Sequence, residues 1–223
     1  AQADEVILIE CWAQRIDSTL RSKLEIYDAN NRKLQNEQHR FGTDTMLAVR
    51  IPATGQYTVQ LSDLIYSGAA TSLYRLEIHS QPRTLNTLPS AITTGTTAEV
   101  QCFGYNLGGK TVKGTLLESL PLQLSSAQLQ SDFRIPAFAD STSATVASTP
   151  VVPHKSIHPV DIAVIDYPVI ANSGGNVDRN TSLPVDIPID ISGQLPNAQD
   201  RHWYQLQLHA GQAITIESIG ARI

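Results

Sequence analysis

Apolar and polar residues alternate in short runs along much of this chain. In Gln56-Tyr57-Thr58-Val59-Gln60-Leu61 the odd positions are apolar and the even ones polar, the period-2 signature of a strand with one buried face. Leu73-Tyr74-Arg75-Leu76-Glu77-Ile78 repeats it, with Arg75 and Glu77 turned to water, and Lys23-Leu24-Glu25-Ile26 does so more briefly. Turn chemistry separates these runs. Asp28-Ala29-Asn30-Asn31 supplies residues that tolerate left-handed conformations and predicts a hairpin, and Pro52-Ala53-Thr54-Gly55 predicts a second turn just before the cleanest strand. No apolar period of 3.6 residues intervenes, so the fold class expected is all-β, built of antiparallel β-sandwich modules. The alternation puts Ile7, Ile9, Leu24, Ile26, Tyr57, Val59, Leu61, Tyr74, Leu76 and Ile78 in one core, with Gln56, Gln60, Arg75 and Glu77 outside.

The chain also repeats itself. Ala210 to Ile223 aligns without a gap on Ala3 to Ile16, with identities at Ala3/Ala210, Ile7/Ile214, Ile9/Ile216, Glu10/Glu217, Arg15/Arg222 and Ile16/Ile223. Such self-similarity marks a modular protein and predicts a window that opens inside one module and closes inside the next.

The order and spacing of several stretches resemble the bacterial pre-peptidase C-terminal domain. They are Val6 to Ile9, Ile16-Asp17-Ser18, Leu24 to Asp28, Pro52 to Tyr57 and Tyr74-Arg75-Leu76. The resemblance resumes at Val185 to Gly193, Asp200 to Tyr204 and Ala210-Gly211-Gln212, where His202 occupies the second carboxylate position of the family's Asp-x-Asp-x-Tyr. Between them, Thr94 to Leu107 resembles the opening of an immunoglobulin-like domain of the IPT/TIG type. These resemblances imply a jelly-roll-like pre-peptidase-type sandwich over residues 1–80, an immunoglobulin-like domain over 82–180, and the opening strands of a second pre-peptidase-type module over 184–223. Boundaries are expected near Gln81 and Asn180, because Asn172 to Ser182 has no apolar face and reads as a linker. Ala137 to Pro159, rich in Ala, Ser, Thr, Pro and Val, reads as loop or extended edge.

Composition narrows the partners. The formal net charge is −5 with 16 scattered Lys and Arg, which gives no electrostatic footprint for nucleic acid or an anionic membrane. No apolar run approaches the roughly 20 residues of a membrane helix, so no membrane insertion is expected, and no leader opens the sequence. Cys11 and Cys102 are too few for a disulfide framework or a zinc site, and the sequence leaves open whether they are bridged.

No constellation in the sequence carries catalysis. Gly-x-Ser-x-Gly, His-Glu-x-x-His and phosphate-cradling glycine motifs are absent. Of the six histidines (39, 79, 154, 158, 202 and 209), His154 and His158 have the four-residue spacing of zinc ligands on a helix, but Pro153 and Pro159 exclude a helix there. Asp17, Asp28, Asp44 and Asp63 fall at expected strand ends, where carboxylates either gather around calcium or hydrogen-bond turn backbone; the second is the commoner use. Calcium is the one cofactor this pattern admits. Tyr27, Tyr57 and Tyr74 resemble a stacking platform by type, although Tyr57 and Tyr74 share the core face of Val59 and Leu76. Trp203 points outward, since Tyr204, Leu206 and Leu208 define the inner face, and is the expected surface contact.

The function that follows is non-catalytic: accessory, spacer or adhesion modules of an exported, multidomain bacterial protein, located in the periplasm, at the cell surface or outside the cell. The partners expected are other modules of the parent chain and extracellular polysaccharide or protein. Two alternatives are an appendage of a secreted peptidase or other hydrolase, and a carbohydrate- or collagen-binding module. One structural expectation follows from the repeat. Residues 184–209 have no counterpart ahead of Ala3, so Val185 to Ile191 and His202 to His209 are expected as strands that dock on the sandwich of residues 5–80, within one chain or by swapping between two, with Ala210 to Ile223 frayed or displaced to an edge. The rival arrangement confines residues 184–223 to a hairpin of their own.

Overall fold

The computed structural model describes residues 1–38, 44–128, 132–133, 147–151 and 160–219. Among the described residues there is no α-helix; strands and two 3-10 turns, Gln14–Ile16 and Ser126–Gln128, make up the regular structure, and the chain is all-β. It divides into two compact units, residues 1–83 with 110–118, and residues 84–109 with 119–223.

The first unit is a sandwich of two antiparallel three-stranded sheets. One sheet holds β1 (Val6–Trp12) between β4 (Thr45–Arg50) and β6 (Arg75–His79); the other holds β2 (Ser22–Tyr27) between β3 (Lys33–Gln38) and β5 (Thr58–Asp63). The expected hairpin joins β2 to β3. Asn31 takes the left-handed conformation at φ 60°, and Asp28 Oδ1 accepts the N–H groups of Asn30 and Arg32, each at 2.9 Å. Between the sheets lie Ile9, Cys11, Ala13, Leu20, Leu24, Ile26, Leu47, Val49 and Ile51, flanked by Ile7, Leu34, Tyr57, Val59, Leu61 and Leu76. Burying a side chain such as Leu24 stabilises the fold by about 1.5–3 kcal/mol. β3 packs on β4 at one side of the sandwich, so β5 and β6 are the outer strands of the other side.

The second unit contains a sheet ordered β11-β9-β7, from β7 (Arg83–Leu88), β9 (Thr97–Tyr105) and β11 (Glu118–Ser125). The two-residue β10 (Lys110–Thr111) lies on the excursion that clusters with the first unit. A second sheet runs β12-β13-β14-β8, from β8 (Ala91–Thr93), β12 (Asp132–Phe133), β13 (Ala147–Val151) and β14 (Val160–Ile165), with β8 and β14 parallel. Its core contains Ile92, Val100, Cys102, Leu107 and Ile162. Gly109 is required by close packing, since a Cβ there would stand 2.2 Å from the Ser119 carbonyl oxygen. Both cysteines are free and buried, Cys11 in one core and Cys102 in the other, and burial pushes the Cys102 thiol up to about 11.

The remaining strands pair in parallel over short lengths: β15 (Val169–Asn172) with β17 (Asp190–Gly193), and β16 (Leu183–Pro184) with β18 (Tyr204–Gln205). The strand expected over Val185 to Ile191 is therefore displaced to residues 190–193, because Pro184 and Pro188 donate no N–H and interrupt a continuous ladder. That expected over His202 to His209 is reduced to two residues. The expected docking on the first sandwich is not the pairing adopted; the backbone partners of Tyr204 and Gln205 are Leu183 and Pro184. Nor do residues 184–219 stand apart as a module. Ser192 Oγ accepts the Ser90 N–H at 3.0 Å, and the amides of Asn172 and Asn176 tie their loop to Trp203 and Tyr204, so the chain does not part near Asn180.

Two residues expected in the core are exposed. Tyr74 precedes β6 and is 58% exposed; Ile78, on the inner face of that strand, is 54% exposed, β6 being outermost in its sheet among the described residues. Glu77, expected in water, is half-buried, since its face of the sheet also holds buried Glu10. Ala210 to Ser218 is exposed and outside any strand, whereas its counterpart Ala3 to Cys11 contributes most of β1.

Candidate functional site

A cleft opens between the sheets of the first unit on the side of β5 and β6. It has a volume of about 730 Å³, and its lining is mixed, with Ile7 and Ile9 of β1, Ile26 of β2, Val59 of β5 and Ile78 of β6 forming the apolar part. The strand registers explain the alignment. Ile78 lies opposite Ile9 in one sheet and Val59 opposite Ile26 in the other, so each outer strand ends its row with an apolar side chain facing the gap. Tyr57 borders the opening, its hydroxyl donating to the Ala53 carbonyl at 2.6 Å, and Glu5, Gln56, His79 and Ser80 add polar groups. A trough between two strands that are outermost among the described residues suits an extended segment better than a small polar ligand.

The four aspartates of the calcium pattern are not brought together. Asp44 Oδ1 accepts the Ala13 N–H at 2.9 Å and the Gln14 N–H at 2.7 Å, while Oδ2 accepts from Arg15 Nε at 2.7 Å. Asp63 accepts from the N–H groups of Ile65 and Ser67, each at 3.0 Å, and from Arg21 N–H at 3.1 Å; the Ser67 amide foremost among these holds its carboxyl below the usual carboxylate range. Asp28 organises the β2–β3 turn, and Asp17 ends the first 3-10 turn in the left-handed conformation at φ 55°. Among the described residues no three His, Cys, Asp or Glu side chains converge on a metal-sized site.

Trp203 is 40% exposed, and its backbone is held on both sides by one residue: its N–H donates to the Asn176 carbonyl at 2.8 Å and its carbonyl accepts from Asn176 Nδ2 at 3.0 Å. Asn176 is buried and in turn accepts from Asn172 Nδ2 at 3.0 Å, which also donates to the Tyr204 hydroxyl at 2.9 Å. The stretch read as a linker is thus an ordered loop. Its missing apolar face is replaced by a satisfied amide network, and Gly174 and Gly175 supply the positive φ angles that bend it. Of the histidines, His202 sets its ring edge-on to Tyr204 and His209 is exposed; His39, His154 and His158 lie outside the described residues.

A further cluster has no precedent in the sequence reading. Glu10, buried in β1, accepts from Arg83 Nε at 2.9 Å and stands 3.5 Å from His79 Nε2. Beside it the guanidinium groups of Arg15 and Arg75 lie 4.4 and 4.7 Å from the centre of the Trp12 ring. The signal was in the run Val6 to Trp12, whose second face carries Leu8 as well as Glu10: a strand without clean alternation is covered on both faces.

No protein family, curated protein or solved structure matches this chain. Its function is accordingly argued from its own geometry, and the cleft is the feature with the most to offer a partner.

Proposed function

We propose that this chain is a pair of non-catalytic contact modules, serving as accessory, spacer or adhesion units of an exported multidomain bacterial protein. The observation that carries the reading is the cleft beside β5 and β6, an open trough between two sheets whose base is apolar and whose polar groups, Glu5, Gln56, His79 and Ser80, lie toward one end, a shape that suits contact with another chain segment. Carboxylates elsewhere in the first unit are engaged in holding the fold. Asp28, Asp44 and Asp63 accept turn N–H groups, and Glu10 is ion-paired with Arg83. The resemblance of residues 1–80 to the pre-peptidase C-terminal domain supports the accessory role and the extracellular setting. Calcium belongs to this reading only as a stabiliser of turns.

Purified protein assayed on peptidase and esterase substrates is expected to give no turnover above buffer; turnover abolished by one Ser or His substitution contradicts the reading. Trp203 supports a second reading, a carbohydrate- or collagen-binding module, because its exposed ring sits on a backbone fixed by Asn176. Retention on a glycan or collagen matrix that is lost in Trp203→Ala favours it over the spacer role.

A further inference from the structure

We infer that Asn180 is an acceptor for N-linked glycosylation, taking its sugar from a diphosphate-activated donor in the compartment to which the chain is exported. The inference rests on the exported setting proposed for the chain and not on its contact chemistry.

Asn180-Thr181-Ser182 is the one Asn-x-Ser/Thr stretch of the sequence in which the middle residue is not proline. A transferase needs both ends of such a stretch, the amide that accepts the sugar and the hydroxyl two residues on. The fold leaves both unspent. Residues 178–181 are exposed and Ser182 is half-buried, and among the described residues neither the Asn180 side-chain amide nor the Ser182 hydroxyl makes a hydrogen bond. Other asparagines of this unit are committed. Asn172 Nδ2 donates to Asn176 Oδ1 and to the Tyr204 hydroxyl, Asn176 Nδ2 donates to the Trp203 carbonyl, and Asn197 Nδ2 donates to Asp200 Oδ2 at 3.0 Å.

Asp178 builds the turn that produces this difference. Its Oδ1 accepts the Asn180 N–H at 2.8 Å and the Thr181 N–H at 2.9 Å, while Thr181 Oγ1 accepts the Asp178 N–H at 3.1 Å. The turn thus consumes backbone N–H groups and the side chains of Asp178 and Thr181, and holds the acceptor amide out in water. A pocket of about 390 Å³ opens from Thr181 and Ser182 and is lined also by Asn172, Ser173, Asn176 and Leu183, with no charged residue in its walls. Its size is that of a small-molecule site, and its uncharged polar lining suits the first, neutral sugar of a glycan.

In the transfer, Asn180 Nδ2 attacks the anomeric carbon of a sugar carried as a polyisoprenyl diphosphate. The new carbon–nitrogen bond replaces the carbon–oxygen bond to the diphosphate, which leaves with the bonding electron pair, and one Nδ2 proton passes to a basic group of the transferase. The product adds a bulky, hydrated group to a surface loop and leaves the chain otherwise unchanged.

The test incubates the purified, folded full chain with membranes that contain an oligosaccharyl transferase and its polyisoprenyl-diphosphate oligosaccharide, and reads the intact mass. One glycan per chain is expected, carried on the tryptic peptide that follows Arg179. It is expected to be lost in Asn180→Gln and in Ser182→Ala and kept in Ser182→Thr, with circular dichroism showing that each variant is folded. A chain of unchanged mass, a glycan retained in Asn180→Gln, or transfer only to heat-unfolded chain overturns the inference. Failure of the chain to leave the cytoplasm in fractionated cells would count instead against the exported setting, because the transfer assay supplies donor and enzyme directly.

Discussion

Single carboxylates do more to shape this protein than their exposure implies. Asp63 collects backbone N–H groups from both sides of a turn, and its carboxyl is held below the ordinary carboxylate range. A folded-state value below the unfolded one contributes stability that is present above the unfolded value of about 3.9 and is lost as pH falls through the folded value. The melting temperature of Asp63→Asn is therefore expected to lie below that of the unmodified chain at pH 7 and to converge on it as the pH is lowered beneath 4; a constant gap would contradict this. Asp44 serves as the common acceptor for two N–H groups and Arg15, and is almost wholly buried. Leaving those donors unpaired in Asp44→Ala costs about 1–3 kcal/mol by urea unfolding. Lys33 holds the Glu25 carboxyl below its usual range by direct hydrogen bonding, assisted by Lys23, so the charge row along β2 is satisfied within its own sheet.

At the scale of elements, the amide network of residues 172–176 is the least expected device. Asn172 and Asn176 are buried and satisfied, and together they fix the strand that carries Trp203 and Tyr204. Asn176→Ala is expected to lower unfolding stability by about 1–3 kcal/mol and to shift Trp203 fluorescence toward that of a solvated indole, an effect that a merely exposed loop would not show. Gly109→Ala has a separate cause, the 2.2 Å approach of a new Cβ to the Ser119 carbonyl, and is expected to cost about 1–3 kcal/mol by the same measurement.

The sequence was legible wherever one face of a strand is buried and the other wet. The alternation of Tyr57, Val59 and Leu61 placed all three against the first core, and the Asp28 to Asn31 turn formed its hairpin. It was illegible where burial is two-sided or held by polar groups. β1 hides Glu10 on its second face, and Asn172 to Asn176 is ordered by amides that composition reads as flexible linker. The cleft of the first unit was not legible either. Its location depends on which strands end up outermost, β5 and β6, and that is a property of sheet order rather than of any local pattern.

For the whole molecule, the organising fact is that the first unit is a sandwich closed on one side and open on the other, while the chain also carries an exposed copy of the sequence that builds it. β1 in the first unit is the central strand of its sheet; its copy beyond His209 has no strand partner among the described residues. The outer strands β5 and β6 are therefore the least protected part of the first core. The most direct measurement is backbone amide hydrogen exchange across the strands of the first unit. The account predicts that amides of the central strands, Val6 to Trp12 and Ser22 to Tyr27, exchange about tenfold or more slowly than those of the outer strands, Thr58 to Asp63 and Arg75 to His79. Equal exchange rates in the central and outer strands would contradict it.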